Sequence, residues 1–294
     1  VHGTLNEWGE PPVDRNAAVV TGTLFVVATP IGNLADLSPR AIDTLRSADL
    51  IACEDTRTSR TLLTRHGISA RTVALHEHNE RAAAPKLIAA LREGKNIALI
   101  SDAGTPALAD PGAWLVAQAH RAGIPVRPIP GPSAAAAALS AAGFAASRFL
   151  FAGFLPAAAA ARRKSLETLD LPLPVVLYEA PHRVRETLAE LAARFGPQRE
   201  IAIARELSKK FEEVVRLPLG AALAWLSERP EREQGEFVLV LAPGEERPAA
   251  AVDAERVLDV LLEALAPSEA AKLAARIAGV PKSALYRKAI ERGK

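Results

Sequence analysis

Short apolar runs alternate with amphipathic stretches along the first half of the chain. Apolar runs bounded by turn residues predict buried strands at residues 24–28, 50–53 and 96–100. Between the first two runs, Ser38 at an N-cap position and Pro39 in a first turn predict a helix. Because fully apolar strands that alternate with helices are typical of parallel sheets, we expect an N-terminal α/β domain over residues 23–145.

The pattern changes near residue 146. The apolar runs become longer and partly alternate with polar positions, at residues 174–180, 199–206, 212–219 and 235–244. This mixture predicts a second α/β domain over residues 146–244 with a mixed sheet. The fold class is therefore α/β with two domains.

The two ends of the chain differ from this body. Residues 1–22 are polar and irregular, which predicts a disordered extension, and residues 242–253 have the composition of a linker. Residues 250–294 predict two or three helices, with a helix-turn-helix pattern around Gly279.

Composition adds little about partners except at the C-terminus. The 294 residues include 36 basic and 34 acidic ones, which nearly cancel, but residues 272–294 hold seven basic residues against one acidic residue. A basic helical module would attract a nucleic-acid backbone, and a simple capping helix is the alternative. The predicted RNA contacts are Lys272, Arg276, Lys282, Arg287 and Lys288.

The cysteine count, the histidine spacing and the hydropathy pattern decide whether we expect a disulfide, a metal site or a membrane span. The single cysteine, Cys53, excludes an internal disulfide and fits the cytoplasm, where we expect the protein to reside. His76 and His78 are spaced i, i+2 without an evident third ligand, so no metal site is predicted. No run of 18 apolar residues indicates a membrane span.

Three loops after predicted strands are candidate ligand sites, since open parallel sheets bind ligands beyond the carboxyl ends of their strands. Asp102 follows the strand at 96–100 in "SDAGTP", where Gly104 permits close ligand approach; an Asx-turn is the alternative. The loop at 28–38 lacks both the Walker and the dinucleotide glycine patterns. Ser133 begins an alanine-rich helix that permits close approach to a flat ligand, although alanine also favours helices by itself.

Mixed charges follow several other strands. Glu54, Asp55, Arg57 and Arg60 could clamp a phosphate or form a solvated helix start. The stretches "YEAPHR" and "ARELSKKFEE" also place charges after apolar strands. These positions predict either one shared cleft or a salt-bridged interface between the domains.

Nine ordered blocks between about residues 24 and 241 resemble the tetrapyrrole-methylase superfamily, and specifically its branch of bacterial ribosomal RNA methyltransferases. The blocks are "TPIGNLADLSPRA", "EDTRTSRTLL", "LHEHNE", "SDAGTPALADPG", "PGPSAAAAALSAAGF", "GFLP", "YEAPHR", "ARELSKKFEE" and "GEFVLVL". The resemblance implies two α/β domains that bind S-adenosylmethionine between them, a fold unlike the Rossmann methyltransferases. It also implies a homodimer that methylates the ribose 2′-oxygen of a cytidine in 16S rRNA of the small ribosomal subunit, near the decoding centre.

The resemblance also implies which residues bind the cofactor. Asp102, Gly104 and Thr105 would hold it, Ser133 and Ala134 would line the adenosyl pocket, Pro30 would flank the pocket, and Tyr178 and Leu207 would close it from the second domain. Two departures stand out. The first loop is less glycine-rich than in porphyrin-modifying members, which favours the RNA branch, and Ser208 stands where threonine is expected.

The catalytic residues stay open at this point. A ribose hydroxyl is a poor nucleophile, so a general base or a charge-stabilising cation should help. The candidates for this role are Glu54, Glu179, Glu206 and Lys209, and the candidates for holding phosphates are Arg57, Arg183 and Arg205. A mechanism of positioning without a base is the alternative. Two other functions compete: methyl transfer to a tetrapyrrole or another small molecule, and non-catalytic RNA binding during ribosome assembly.

Overall fold

The computed structural model describes residues 21–145, 147–245 and 253–292, with side chains described as far as residue 290. Its first sheet contains five parallel strands in the order β3-β2-β4-β1-β5. They are β1 (Leu24–Val27), β2 (Leu50–Cys53), β3 (Arg71–Ala74), β4 (Ile97–Ile100) and β5 (Val126–Ile129). The prediction of a parallel sheet is confirmed. We call residues 21–145 the first lobe.

A helix follows each of these strands, and three of the five helices begin at a side-chain cap. They are α1 (Pro39–Ser47), α2 (Thr56–Arg65), α3 (Glu80–Arg92), α4 (Ala113–Arg121) and α5 (Ala134–Ala142). The Ser38 hydroxyl accepts a hydrogen bond from the Ala41 N–H at 3.1 Å, as the sequence predicts for this N-cap. Asp55 and Ser133 cap α2 and α5 in the same way. Each cap fixes where the loop after a strand turns into a helix.

The second sheet is mixed, as predicted, with the strand order β6-β7-β10-β8-β9. Its strands are β6 (Leu150–Phe154), β7 (Val175–Glu179), β8 (Glu200–Arg205), β9 (Glu213–Pro218) and β10 (Phe237–Leu241), and its helices are α6 (Ala159–Glu167), α7 (Pro181–Phe195) and α8 (Leu219–Ser227). Strands β6 and β7 are parallel and the other pairs are antiparallel. We call residues 147–243 the second lobe.

Helix α5 of the first lobe packs against the second sheet. Its buried Ala135, Ala138 and Ala142 form one apolar cluster with Val176 and Val238 of the second lobe. Methyl side chains allow the helix backbone to lie close to the sheet. The alanines therefore join the lobes.

The chain divides into two compact units, and the second begins at Gly244. In the described part of this unit, three helices pack around Leu258, Ala274 and Leu285: α9 (Ala254–Leu262), α10 (Pro267–Ala278) and α11 (Lys282–Arg292). Most of the predicted linker, and all but two residues of the predicted extension at 1–22, lie outside the described residues. Every helix in the described ranges is too short or too polar to cross a membrane.

Candidate active site

A cavity of about 390 Å³ lies between the two lobes, and we call it the main cavity. The first lobe contributes the loops after β1, β4 and β5, and the second lobe contributes the end of β7, the start of β10 and the loop after β8. Apolar lining comes from Ile31, Leu207, Phe237 and Val238. Carboxylates at its wall belong to Asp110, Glu179 and Glu236.

Backbone contacts hold the first-lobe loops together at this cavity. Thr29 and Gly104 form an isolated antiparallel bridge, in which the Thr29 N–H donates to the Gly104 carbonyl at 2.8 Å. The Thr105 hydroxyl donates to the Pro132 carbonyl at 3.1 Å. Gly104 has φ +81°, a conformation that favours glycine. The loops after three strands thus form one continuous wall.

The cofactor residues implied by the resemblance divide between two places. Six of them line the main cavity: Gly104, Thr105, Ser133, Ala134, Tyr178 and Leu207. Pro30 and Asp102 instead line a second cavity of about 350 Å³, which belongs to the first lobe alone. The main cavity has the carboxylate of Asp110 where that of Asp102 was expected, and Asp110 was not among the predicted site residues.

Four side chains with hydroxyl groups line the second cavity, beside an apolar wall. Its lining includes Thr58, Ser59 and Thr61 of α2, and Ser101 after β4. Ser59 is 3% exposed, and among the described residues its Oγ is hydrogen-bonded only to the Cys53 thiol, a weak hydrogen-bonding group. Buried hydroxyl groups without a full hydrogen bond are uncommon in proteins.

The carboxylate of Glu54 interacts with those of Asp102, which lines the second cavity, and Asp110, which lines the main cavity. Burial, followed by the charges of Asp102 and Asp110, raises the pKa of Glu54. Burial also raises the pKa of Asp110, although a hydrogen bond with Ser101 opposes the shift. The Asp55 N–H donates to Asp102 Oδ1 at 3.2 Å and holds that carboxylate next to the start of α2. Glu54 therefore takes up a proton more readily than an ordinary glutamate.

Three further candidates, Arg57, Glu179 and Arg183, are engaged in local contacts. Arg57 is paired with Asp55 at 2.9 Å, and this hydrogen bond lowers the pKa of Asp55 to about 2. The Arg57 side chain is nevertheless 88% exposed. Glu179 is buried, accepts a hydrogen bond from the Thr187 hydroxyl at 2.6 Å and lies 3.3 Å from Arg183 Nε. Arg183 also donates to the Leu155 carbonyl at 2.8 Å.

The remaining candidates stabilise the loop after β8. Buried Arg205 donates to three backbone carbonyls, those of Gln234, Phe211 and Glu231. Lys209 Nζ lies 2.9 Å from Glu206 Oε1 and 2.8 Å from Glu236 Oε2. Burial alone would raise the pKa of Glu206, but the hydrogen bonds from Lys209 and from the Glu236 N–H lower it overall.

The same loop closes against the first lobe, in a contact that we call the clasp. The Ser208 hydroxyl donates to Asp36 Oδ2. Glu206 and Ser208 both have positive φ, at 50° and 67°. A Cβ atom on Gly32 would lie 2.3 Å from Lys209 Cγ and 3.0 Å from the Leu207 carbonyl oxygen. The clasp thus holds Leu207 against the main cavity in a strained backbone conformation.

Sequence analysis missed several residues of the main cavity. Phe154 is 57% exposed and packs edge-on against Tyr178 with ring centroids 5.5 Å apart. Asp110 lies within the same loop as "SDAGTP", so its closeness along the chain was a usable signal. Glu236 and Phe237 begin a buried strand, and no local pattern marks them as site residues. In the described residues, no group of three or more His, Cys, Asp or Glu side chains could hold a metal ion.

The predicted RNA contacts lie on α10 and α11. Lys272, Arg276, Lys282 and Arg287 are exposed. Lys288 is partly buried and paired with Glu255. Four of the five cations therefore face solvent.

The chain is similar to known methylases over most of its length. The family model for Tetrapyrrole (Corrin/Porphyrin) Methylases matches residues 23–223, and the model for the RsmI C-terminal HTH domain matches residues 248–293. A protein of Pseudomonas aeruginosa named ribosomal RNA small subunit methyltransferase I is 50% identical, with 92% of this chain and 98% of the relative covered. The protein of the same name from Escherichia coli O157:H7 is 48% identical, with 92% and 95% covered.

A solved structure supports the fold independently. The uroporphyrin-III C-methyl transferase from Thermus thermophilus, complexed with S-adenyl homocysteine, superposes with a TM-score of 0.52 at 18% identity, covering 75% of this chain and 97% of that one. The two-sheet body is therefore the tetrapyrrole-methylase fold. Taken with the sequence matches, this shows that the chain belongs to the tetrapyrrole methylase family and, within it, to the ribosomal RNA small subunit methyltransferase I group.

Proposed function

We propose that this protein transfers a methyl group from S-adenosylmethionine to the ribose 2′-oxygen of a cytidine in 16S rRNA. The observation that carries the proposal is the main cavity between the lobes, lined by six residues that the resemblance assigns to the cofactor. The 50% identical relative is named a small-subunit rRNA methyltransferase, which supports the RNA substrate. The exposed cations of α10 and α11 supply a surface for the RNA backbone.

The lining of the main cavity fits the cofactor chemically. Leu207 and Val238 offer an apolar surface for the adenine ring, and Ser133 marks the N-terminus of α5, whose N–H groups suit the carboxylate of the methionine part. Asp110 and Glu236 offer carboxylates for the ammonium and ribose hydroxyl groups. When bound, the cofactor supplies an electrophilic methyl group on a sulfonium. The predicted contact of Asp102 with the cofactor stays a prediction, since Asp102 lines the second cavity.

Among the described residues, Glu54 is the one candidate base that is not held in an ion pair. The other three candidate bases, Glu179, Glu206 and Lys209, are paired, whereas the raised pKa of Glu54 comes from burial and neighbouring carboxylates. We propose that Glu54 accepts the proton of the 2′-hydroxyl as that oxygen displaces the methyl carbon from the sulfonium sulfur, which would leave as a neutral thioether. General-base catalysis contributes about 10²- to 10⁴-fold, so we expect Glu54→Gln to lose that much turnover and retain cofactor binding.

A single assay tests the reaction and its substrate. Small ribosomal subunits from cells that lack a relative of this enzyme are incubated with the protein and cofactor carrying a labelled methyl group. We expect label on one cytidine ribose of 16S rRNA, located by primer extension and mass spectrometry. Label on a tetrapyrrole but not on RNA would favour the small-molecule alternative. Tight RNA binding without label, by a protein that binds the cofactor, would favour the assembly-factor alternative.

Two finer expectations belong to the same proposal. The resemblance implies a homodimer, which sedimentation analysis of the full chain tests directly. The predicted cytoplasmic location fits a substrate in the small ribosomal subunit, and fractionation of cells producing the tagged protein tests it.

A further inference from the structure

The second cavity lies one residue away from the main cavity along two loops. Pro30 lines the second cavity and Ile31 lines the main one, and Asp102 and Ala103 are divided in the same way. Consecutive Cα atoms are about 3.8 Å apart, and a group transfer needs reacting atoms roughly 3–3.5 Å apart. We propose that the second cavity binds the nucleoside whose ribose accepts the methyl group. This inference rests on the proposed function.

The polar groups of the second cavity match a nucleoside. Thr58, Ser59, Thr61 and Ser101 supply hydroxyl groups that both donate and accept hydrogen bonds. Among the residues described by the structure, the buried Ser59 Oγ has no nitrogen or oxygen partner and makes only a weak hydrogen bond with the Cys53 thiol. An unsatisfied buried hydroxyl is costly, so a ligand that completes its hydrogen bonding gains affinity. Ribose hydroxyls and the polar edge of a base are such groups.

The charges of Asp102 and of the α2 arginines favour a nucleoside inside the second cavity with its phosphates outside it. The Asp102 carboxylate lines the cavity and disfavours an anion there. Helix α2, which lines the cavity with four of its residues, also exposes Arg57, Arg60 and Arg65. Arg57 and Arg65 lie four residues on either side of Thr61, so all three share one face of the helix. The phosphates that flank a single-stranded nucleotide would contact these arginines while its sugar and base occupy the cavity.

Shape and apolar lining indicate an unpaired nucleotide. A volume of about 350 Å³ is at the small end for a ligand pocket and admits one nucleoside, not a base pair. Pro30, Leu34 and Leu62 form its apolar wall, against which a base can pack. The target nucleotide would therefore be single-stranded or flipped out of a helix when it binds.

A pair of variants on α2 tests the inference. Thr61→Phe fills the second cavity from an exposed position, and Thr64→Phe places the same ring at an exposed position of α2 that does not line it. Three quantities are measured for both variants and the unaltered protein: melting temperature, the S-adenosylmethionine Kd by calorimetry, and the single-turnover rate on unmethylated small subunits. We expect Thr61→Phe to lower the rate at least 100-fold with cofactor Kd unchanged, and Thr64→Phe to stay within about twofold.

Ser59→Ala provides a second test that removes only one oxygen. We expect little change in melting temperature, because folding would lose only the weak hydrogen bond to the Cys53 thiol, and about a tenfold lower kcat/KM for small subunits. Normal rates in both Thr61→Phe and Ser59→Ala would overturn the inference and leave the proposed function standing. If the unaltered protein binds the cofactor but methylates no small-subunit RNA, the proposed function itself fails and the inference fails with it.

Discussion

Replacing Gly32 by alanine should weaken cofactor binding through the clasp. The new Cβ would lie 2.3 Å from Lys209 Cγ, whereas ordinary contacts begin at 3.4 Å, so the loop after β8 must move by about 1.1 Å. The approach to the Leu207 carbonyl oxygen, at 3.0 Å, prevents the side chain of Lys209 from absorbing all of this shift. The movement displaces Leu207, which lines the main cavity.

The size of the effect follows from the cost of overpacking. Inserting a methyl group into a packed contact costs about 1–3 kcal/mol. If the bound state carries that strain, the S-adenosylmethionine Kd rises by roughly 5- to 150-fold, since about 1.4 kcal/mol corresponds to a factor of ten. Isothermal titration calorimetry measures the Kd, and a thermal melt checks that the variant folds.

Two control variants distinguish an effect on cofactor binding through the clasp from a general loss of stability. Gly123→Ala introduces the same methyl group at φ +67° with no atom within 4 Å, so it should lower the melting temperature without changing the Kd. Lys209→Ala removes the clashing Cγ, so the combined Gly32→Ala and Lys209→Ala variant should bind better than the two separate losses predict. Additive losses, or an unchanged Kd in Gly32→Ala alone, would contradict this account of the clasp.

Three further predictions follow from charge and burial. Because the pKa of Glu54 is raised in the folded protein, its ionised form destabilises the fold. Glu54→Gln should therefore have the melting temperature of the unaltered protein near pH 4 and a higher one at pH 7.5. A difference in melting temperature that is the same at every pH would contradict this prediction. Arg162→Met should reduce the urea-derived free energy of unfolding by about 2–4 kcal/mol, because buried Arg162 contacts Glu190 at 2.6 Å, while the exposed Arg163→Met should cost far less. Lys272→Glu should weaken binding to 16S rRNA and flatten its salt dependence without altering cofactor affinity, and an unchanged salt dependence would remove α10 from the RNA surface.

The sequence predicted both sheets because a buried strand has a recognisable local pattern of apolar residues. Strand β4 is apolar at every position since both faces of the parallel sheet are covered, and the consecutive residues Ser38 and Pro39 mark the start of α1. The resemblance implied six residues that line the main cavity, and four of them follow β4 and β5, whose carboxyl ends meet at one edge of the first sheet.

Contacts between segments that are distant along the chain could not be predicted, because no local sequence pattern indicates them. Ser208 and Asp36 are 172 residues apart, and nothing in either stretch shows that the two side chains meet. Arg205 follows an apolar strand, like a ligand-binding arginine, yet it is buried by three backbone carbonyls. The alanines of α5 were compatible with a ligand contact or with helix propensity alone, and only the second sheet shows that they join the lobes.

The main cavity is formed by both lobes and the second cavity by the first lobe alone. Cofactor binding and acceptor binding can therefore be changed separately. The main cavity needs residues from both lobes, so its shape depends on the clasp and on the packing of α5. The second cavity is built from the first lobe alone, by α2 and the loops after β1 and β4. Strain at Gly32 therefore acts on cofactor affinity, whereas substitutions at Thr61 act on the acceptor. Asp102 lines the second cavity and Asp110 lines the main cavity, and the charges of both raise the pKa of Glu54. Glu54 itself lines neither cavity, so in the proposed mechanism it serves the reaction without belonging to either binding site.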